Sequence, residues 1–268
     1  MTKVIAITNQ KGGVGKTTTC VNLASALAII GQRVLLIDFD PQGHATMGSG
    51  VDKRTVKPNG CEVLLDEVKL ADALIDLPHG YKLLPGNGDL TAAEVQLMPQ
   101  PGREIRLKRQ LEPVREDFDY VLIDCPPSLG VLTLNALAAA DSVLIPIQCE
   151  FYALDGLTQL LDTIKAVRAT VNANLQLEGL LRTMFDPRNN LGSDVSNQLE
   201  KHFGDKVFRA VVPRNVRLAE APSHGQPIIQ YDKSSRGAAA YLALAEELVA
   251  RKPPAKPTAK PRAKSRSE

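Results

Sequence analysis

Residues Asn9–Thr19 read NQKGGVGKTTT, and their spacing suits one kind of chemistry, the cradling of phosphates. Gly12, Gly13 and Gly15 let the backbone close on an anion, and successive N–H groups ahead of a helix supply positive potential. With Val14 and Thr18 completing the run, Lys16 reaches β- and γ-phosphates and the Thr17 hydroxyl ligates Mg²⁺. The usual pattern, G-x-x-x-x-G-K-[ST], asks for glycine where this chain has Gln10, and a second lysine, Lys11, stands beside it.

Lys11 has two readings. It is a solvated loop lysine, or it acts on phosphates. A residue upstream of the loop lysine folds back with difficulty onto phosphates that its own loop encloses. It reaches those presented by a facing subunit. There it would neutralise charge on the transferred phosphoryl group, as an arginine finger does.

Carboxylates complete the set. Asp38 and Asp40 close a strand in IDFDPQG, and strand C-terminal ends line the ligand crevice of open α/β sheets. Alternation puts both carboxylates on one side of the chain, where either can hold a magnesium-bound water or orient the attacking water. Asp124 ends the apolar run YVLID and suits a Mg²⁺ site, often through water. Asn215, in Pro213–Asn215, carries an amide that both donates to and accepts from a purine edge. Met184 and Phe185 suit packing against a base or packing in the core.

These residues need a scaffold, and the apolar runs supply one. Val4–Thr8 reads as a buried strand, Thr17–Ile30 as a helix stopped at Gly31, and Arg33–Ile37 as the next strand. This βαβ unit implies a parallel sheet. Tyr120–Asp124, Ser142–Pro146, Leu177–Thr183 and Lys206–Val212 are further strands, with Tyr81–Leu84 as another candidate. Helices are expected at 103–115, within LGVLTLNALAAA, and at 155–170, 193–203 and 234–250. Continuous apolar strands alternating with helices predict an α/β fold: a P-loop NTPase-like, mostly parallel sheet covered by helices on both faces. Residues 41–80, rich in Gly, Pro and polar residues, give no clear elements.

Composition bounds the alternatives. The 268-residue chain carries a net charge of +2. Residues 251–268 hold seven basic side chains and one acid, +6, so residues 1–250 stand at −4. That tail has four prolines and no large apolar residue, and is expected to be disordered, leaving 1–250 as the folded domain. Cys20, Cys61, Cys125 and Cys149 show no C-x-x-C spacing and no histidine cluster, so reduced cytosolic thiols are expected. MTKVIAIT reads as a strand rather than a signal peptide, and no apolar run approaches the roughly 18 residues that span a bilayer.

The motifs resemble a known family. KGGVGKTT is similar to the deviant Walker A loop of the ParA/MinD ATPases. NQKGGVGKTTTCVNLASALA resembles the chromosome-partitioning ParA (Soj) branch, as do DFDPQGHAT at 38–46, VLIDCPPSLG at 121–130 and PRNVRLAEAPSHGQPI at 213–228. The resemblance covers roughly residues 1–250. It implies a cytoplasmic, nucleoid-associated ATPase that binds ATP and Mg²⁺ and pairs as a face-to-face homodimer with Lys11 on the partner's nucleotide. It assigns Asp40 the hydrolytic role and sets 125–130 as a switch that senses the γ-phosphate. It places Pro213–Asn215 beside the adenine. It further implies non-specific double-stranded DNA binding by the ATP dimer, and release when a ParB-type centromere-binding protein stimulates hydrolysis.

DNA binding without sequence preference needs clustered cations. Candidates are Arg188, Arg209, Arg214, Arg217, Lys233 and Arg236. A dimer doubles the phosphate contacts and so binds where a monomer does not. Three other readings share the loop. One is a MinD-like membrane-associated positioning ATPase, but the Pro-Lys-Ala end lacks the apolar face of an amphipathic helix. Another is an orphan relative that positions different cargo on the nucleoid. The third is a metabolic ATPase related to nitrogenase iron protein or to amide-forming enzymes, for which the cysteines lie in the wrong elements.

Overall fold

A computed structural model of the protein describes residues 2–251; of the basic tail expected at 251–268, all but Arg251 lies outside the described residues. The strands, in chain order, are β1 (Lys3–Ile7), β2 (Val34–Asp38), β3 (Ile75–Asp76), β4 (Lys82–Leu84), β5 (Tyr120–Asp124), β6 (Ser142–Gln148), β7 (Gln176–Phe185) and β8 (Val207–Pro213). The helices are α1 (Lys16–Ile29), α2 (His44–Gly48), α3 (Gly60–Leu64), α4 (Asp89–Leu97), α5 (Arg106–Leu111) and α6 (Val131–Ala139). After them come α7 (Ala153–Thr170), α8 (Asn190–Phe203), α9 (Val216–Glu220), α10 (Ile228–Tyr231) and α11 (Arg236–Ala250). One sheet runs in the order β3-β4-β2-β5-β1-β6-β7-β8, parallel throughout except for the β3–β4 edge.

The expected two-sided sheet is present, and strand alternation explains it. Val4 and Ala6 of β1 join one core with Leu64, Leu90, Leu107, Leu137, Leu160 and Leu199, under α3–α8. Ile5 and Ile7 face the other way and join Leu23, Leu27, Leu218, Ile228, Tyr241 and Leu244, under α1 and α9–α11. Helix α1 stops as its sequence implies. Gly31 takes φ +87°, its N–H donates to Ala28 O, and Gln32 N–H donates to Leu27 O, a Schellman closure.

The strands agree with the sequence reading to within one or two residues at each end. Four regions differ, one of them the unexpected short helices α9 and α10. The helix expected at 103–115 is broken: a 3₁₀ turn at Arg103–Ile105 leads into α5, and a second 3₁₀ segment, Glu112–Asp117, carries Pro113 in its first turn. Residues 41–80 hold α2, α3 and β3, short pieces fixed by side chains rather than by periodicity. Asn59 caps α3 with a complete capping box whose other member is Glu62. Helix α4 lies where no element is expected, although Leu90, Ala93 and Leu97 recur at helical spacing and are buried.

Parallel pairing gathers all strand C-termini at one end of the sheet, apart from short β3. The opposite end is closed by polar clamps. Lys3 Nζ and Ser142 Oγ both donate to Glu178, each at 2.8 Å. The Arg251 guanidinium lies 3.7 Å over the Phe208 ring and donates to Glu178 O, Val207 O and Glu247 Oε1.

Candidate nucleotide site

Three adjacent strands end level with one another. Ile7 of β1 pairs with Asp124 of β5, which pairs with Asp38 of β2. The loop to α1 therefore rises beside both buried carboxylates.

In that loop Gly13 has φ +74° and Gly15 φ +88°, left-handed values that side chains disfavour. Gly15 is the N-cap of α1 and offers no side chain to cap it, so the first-turn N–H groups stay open to an anion. Neighbouring strands brace the loop. Asn9 Nδ2 donates to Pro146 O at 2.8 Å and its Oδ1 accepts from Lys11 N at 3.0 Å. The Thr183 hydroxyl donates to Val14 O at 2.8 Å. Lys16 is buried, with Nζ 3.4 Å from Lys11 O.

Asp38 is fully buried and already engaged. Its Oδ2 accepts from Thr46 N and Thr46 Oγ1, both at 2.7 Å, and its Oδ1 accepts from Asp40 N at 3.3 Å. Of the two carboxylates that the sequence placed on one side of β2, it is the one tied into the fold. Asp40 lies past the strand end, in a turn where Gln42 N donates to its Oδ1 at 2.9 Å and Gly43 N donates to its O. Asp124 is also fully buried. Its Oδ1 accepts from Cys20 Sγ at 3.4 Å, and its Oδ2 has no hydrogen-bond partner among the described residues. Burial, and then the neighbouring Asp124 charge, raises the Asp38 carboxyl above the ordinary carboxylate range; burial and the charge of Asp40 raise Asp124 likewise, against Thr17, Cys20 and Lys16. An orphaned buried carboxylate oxygen beside a lysine and a threonine hydroxyl fits a divalent cation.

Lys11 sits apart from this cradle. Its side chain is 45% exposed, and Nζ meets Glu150 Oε2, just past the end of β6, at 2.5 Å. Asn215 does not stand free, because its Oδ1 accepts from Leu218 N at 3.2 Å and caps α9, leaving the amide N–H groups. Pro213 ends β8 as the register partner of Phe185. A cavity of about 180 Å³ at the ends of β6–β8 is lined by Gln148, Glu150, Met184, Phe185 and Arg214. A larger one, about 380 Å³, lies beside the first turn of α1 between Thr17, Thr18, Val21, Met47, Pro222 and Gln226. Neither is lined by Pro213 or Asn215.

The basic candidates form two groups. Arg188 and Arg214 flank Asp186, to which the Arg188 guanidinium donates twice, at 2.9 and 2.7 Å. Arg217 pairs with Glu220 and approaches Asp232 at 3.6 Å, next to exposed Lys233 and Arg236, which have no acidic partner among the described residues. Arg209 is exposed on β8. Sequence reasoning missed Thr46, Thr183 and Glu150. For Glu150 the strand-end position in IPIQCE was an available signal; the two threonines had none.

A family model described as an AAA domain matches residues 2–177. The sporulation initiation inhibitor protein Soj of Bacillus subtilis is 55% identical over 251 residues, covering 93% of this chain and 99% of that protein. The chain belongs to the ParA/Soj family of chromosome-partitioning ATPases. The chromosome partitioning protein ParA of Myxococcus xanthus is 51% identical, over 94% of this chain and 89% of its own length. Among solved structures, cobyrinic acid a,c-diamide synthase from Mycobacterium smegmatis with bound ATP analogue and magnesium superposes with a TM-score of 0.83 at 42% identity, covering 93% and 94% of the two chains. The ParA/Soj chain is thus a P-loop ATPase with a two-sided, mostly parallel sheet. Its loop, Asp40 and Asp124 lie at the C-terminal end of the parallel strands.

Proposed function

We propose that this ATPase works as a nucleotide-gated, DNA-binding dimer that partitions chromosomes or plasmids. The observation that carries the reading is the division of labour between the two loop lysines. Lys16 is buried within its own cradle, while Lys11 is half exposed and engaged with Glu150. A lysine so placed is available to a second protomer.

In this reading the loop N–H groups of Gly12–Thr18 and the Lys16 ammonium hold the β- and γ-phosphates. The Thr17 hydroxyl, Asp40 and the free Oδ2 of Asp124 would hold Mg²⁺, which supplies charge neutralisation on the phosphate oxygens. Asp40 orients the attacking water, and Asp38 holds the turn that carries Asp40. Lys11 of the partner neutralises charge on the transferred phosphoryl group. The loop Cys125–Gly130, continuous with Asp124, responds to the terminal phosphate. Pro213 and Asn215 border the base.

Pairing doubles the cationic surface made by Arg188, Arg214, Arg217, Lys233 and Arg236, so duplex DNA is held by the ATP-bound dimer. A ParB-type partner stimulates hydrolysis and releases it. Residues 1–250 act as the ATPase unit, cytoplasmic and nucleoid-associated, with the basic tail as an extension. Among the described residues no helix is long and apolar enough to cross a membrane.

Duplex binding measured with ATP, ADP and no nucleotide, at several salt concentrations, tests this. Binding is expected with ATP alone, with a steep salt dependence, and Lys16→Ala is expected to abolish it. Equal binding by a nucleotide-free monomer refutes the reading.

A further inference from the structure

Gly130 ends the loop that leaves Asp124, and α6 begins at the next residue. Its backbone, φ −80° and ψ −171°, is open to any residue. What excludes a side chain there is Glu94 of α4: a Cβ on residue 130 would lie 2.2 Å from Glu94 Oε1. The same oxygen lies 3.5 Å from Leu132 N, the long limit of an N–H···O contact. Its influence is therefore mainly that of a negative charge beside open N–H groups. Helix α6 has no acid in its first turn and no side-chain cap of its own. Glu94 supplies from another helix what this N-terminus lacks.

The contact reaches the site through a short chain of bonds. Cys125 N donates to Ile7 O at 3.2 Å, which fixes the near end of the loop. Thr133 Oγ1, in the first turn of α6, donates to Ser128 O at 2.6 Å, which ties the loop's middle to the helix. A shift of that first turn therefore moves Ser128, and Pro126 and Pro127 with it. We propose that Glu94 is a positioning residue for ATP hydrolysis, setting the Cys125–Gly130 loop through the N-terminus of α6. This rests on the reading that the loop responds to the terminal phosphate.

The carboxylate is the free end of a flexible side chain, so Gly130→Ala displaces it rather than unfolding the protein. Glu94→Ala and Gly130→Ala thus remove the same interaction. Each is expected to lower kcat about three- to tenfold, the factor that a missing helix cap represents when the helix supports the transition state. KM and ADP affinity should stay within about twofold, because the loop of Gly12–Thr18 is untouched. The double variant should be no slower than either single one. Glu94→Gln keeps the side chain's shape but removes its charge, so it should lose most of what the alanine variant loses, and this readout stands even if the alanine variant folds poorly.

Normal kcat in Glu94→Ala, or losses that multiply in the double variant, overturns the inference. Hydrogen exchange at 125–135, with ADP and with a non-hydrolysable ATP analogue, separates it from the reading beneath it. If the wild type does not distinguish the two nucleotides there, the loop is no sensor and the proposed function itself fails. If Glu94→Ala distinguishes them as well as the wild type does, only the role of Glu94 falls.

Discussion

Asp38 and Asp124 occupy the same rung of the β2–β5 ladder, and both are fully buried. The three donors around Asp38 make it a structural post, whereas one oxygen of Asp124 has no hydrogen-bond partner among the described residues.

That pairing gives a pH dependence with a defined sign. Burial first, then the charge of Asp124, raises the Asp38 carboxyl to about 8, against about 4 in an unfolded chain. Between those values the folded state binds more protons, so this contribution to stability is full below about 4 and is lost as pH rises toward 8. Asp38→Asn keeps an acceptor for Thr46 but removes the charge. Without Mg²⁺ or nucleotide, its melting temperature should change less than that of the wild type between pH 5 and 8. At pH 8 it should lie a few degrees above the wild type. Parallel melting curves at both ends of the range contradict this.

Lys11→Ala should leave nucleotide affinity within about twofold, because Lys11 lies outside the cradle, while hydrolysis falls to background. The Lys11–Glu150 pair is exposed and worth less than about 1 kcal/mol, so it does not hold the lysine back from a partner. Turnover and equilibrium nucleotide binding, measured on the same preparation, decide the point. Normal turnover would rule out action in trans.

Asp40→Ala should bind ATP and stay paired, since the orienting carboxylate is gone while the loop and Asp124 remain. Light scattering over an hour with ATP should report a persistent dimer where the wild type decays. Wild-type decay in the variant would remove Asp40 from the hydrolytic role.

The two basic groups should contribute unequally to DNA binding. Arg188 is already half-neutralised by Asp186, while Lys233 and Arg236 have no acidic partner among the described residues. Replacing Lys233 and Arg236 with alanine should reduce the slope of log affinity against log salt by about 1 for each phosphate that these side chains neutralise. Arg188→Ala should change it less. An unchanged slope in the double variant would place the DNA surface elsewhere.

The sheet was legible because its strands are buried on both faces and read as unbroken apolar runs. The loop was legible because glycine, lysine and threonine at fixed spacing admit few other uses. The short elements between 41 and 80 were not, since single side-chain contacts rather than periodicity fix them, as Asp38 fixes Thr46 in α2. The break at 103–117 hides for a similar reason: Asn135 of α6 accepts from Leu107 N and donates to Arg103 O, which pins a kink that local periodicity does not record. Asn215 shows the limit at single residues. Its amide suits a purine on paper, but half of it is committed to capping α9.

Arg251, stacked on Phe208 and bonded to the starts of β7 and β8, moors the end of α11 at the pole of the sheet farthest from the loop. Anything joined to the chain beyond that mooring begins on the far side of the molecule from the phosphates. A fluorescent reporter joined directly after residue 251 would therefore start behind the face that carries the loop, clear of the phosphates.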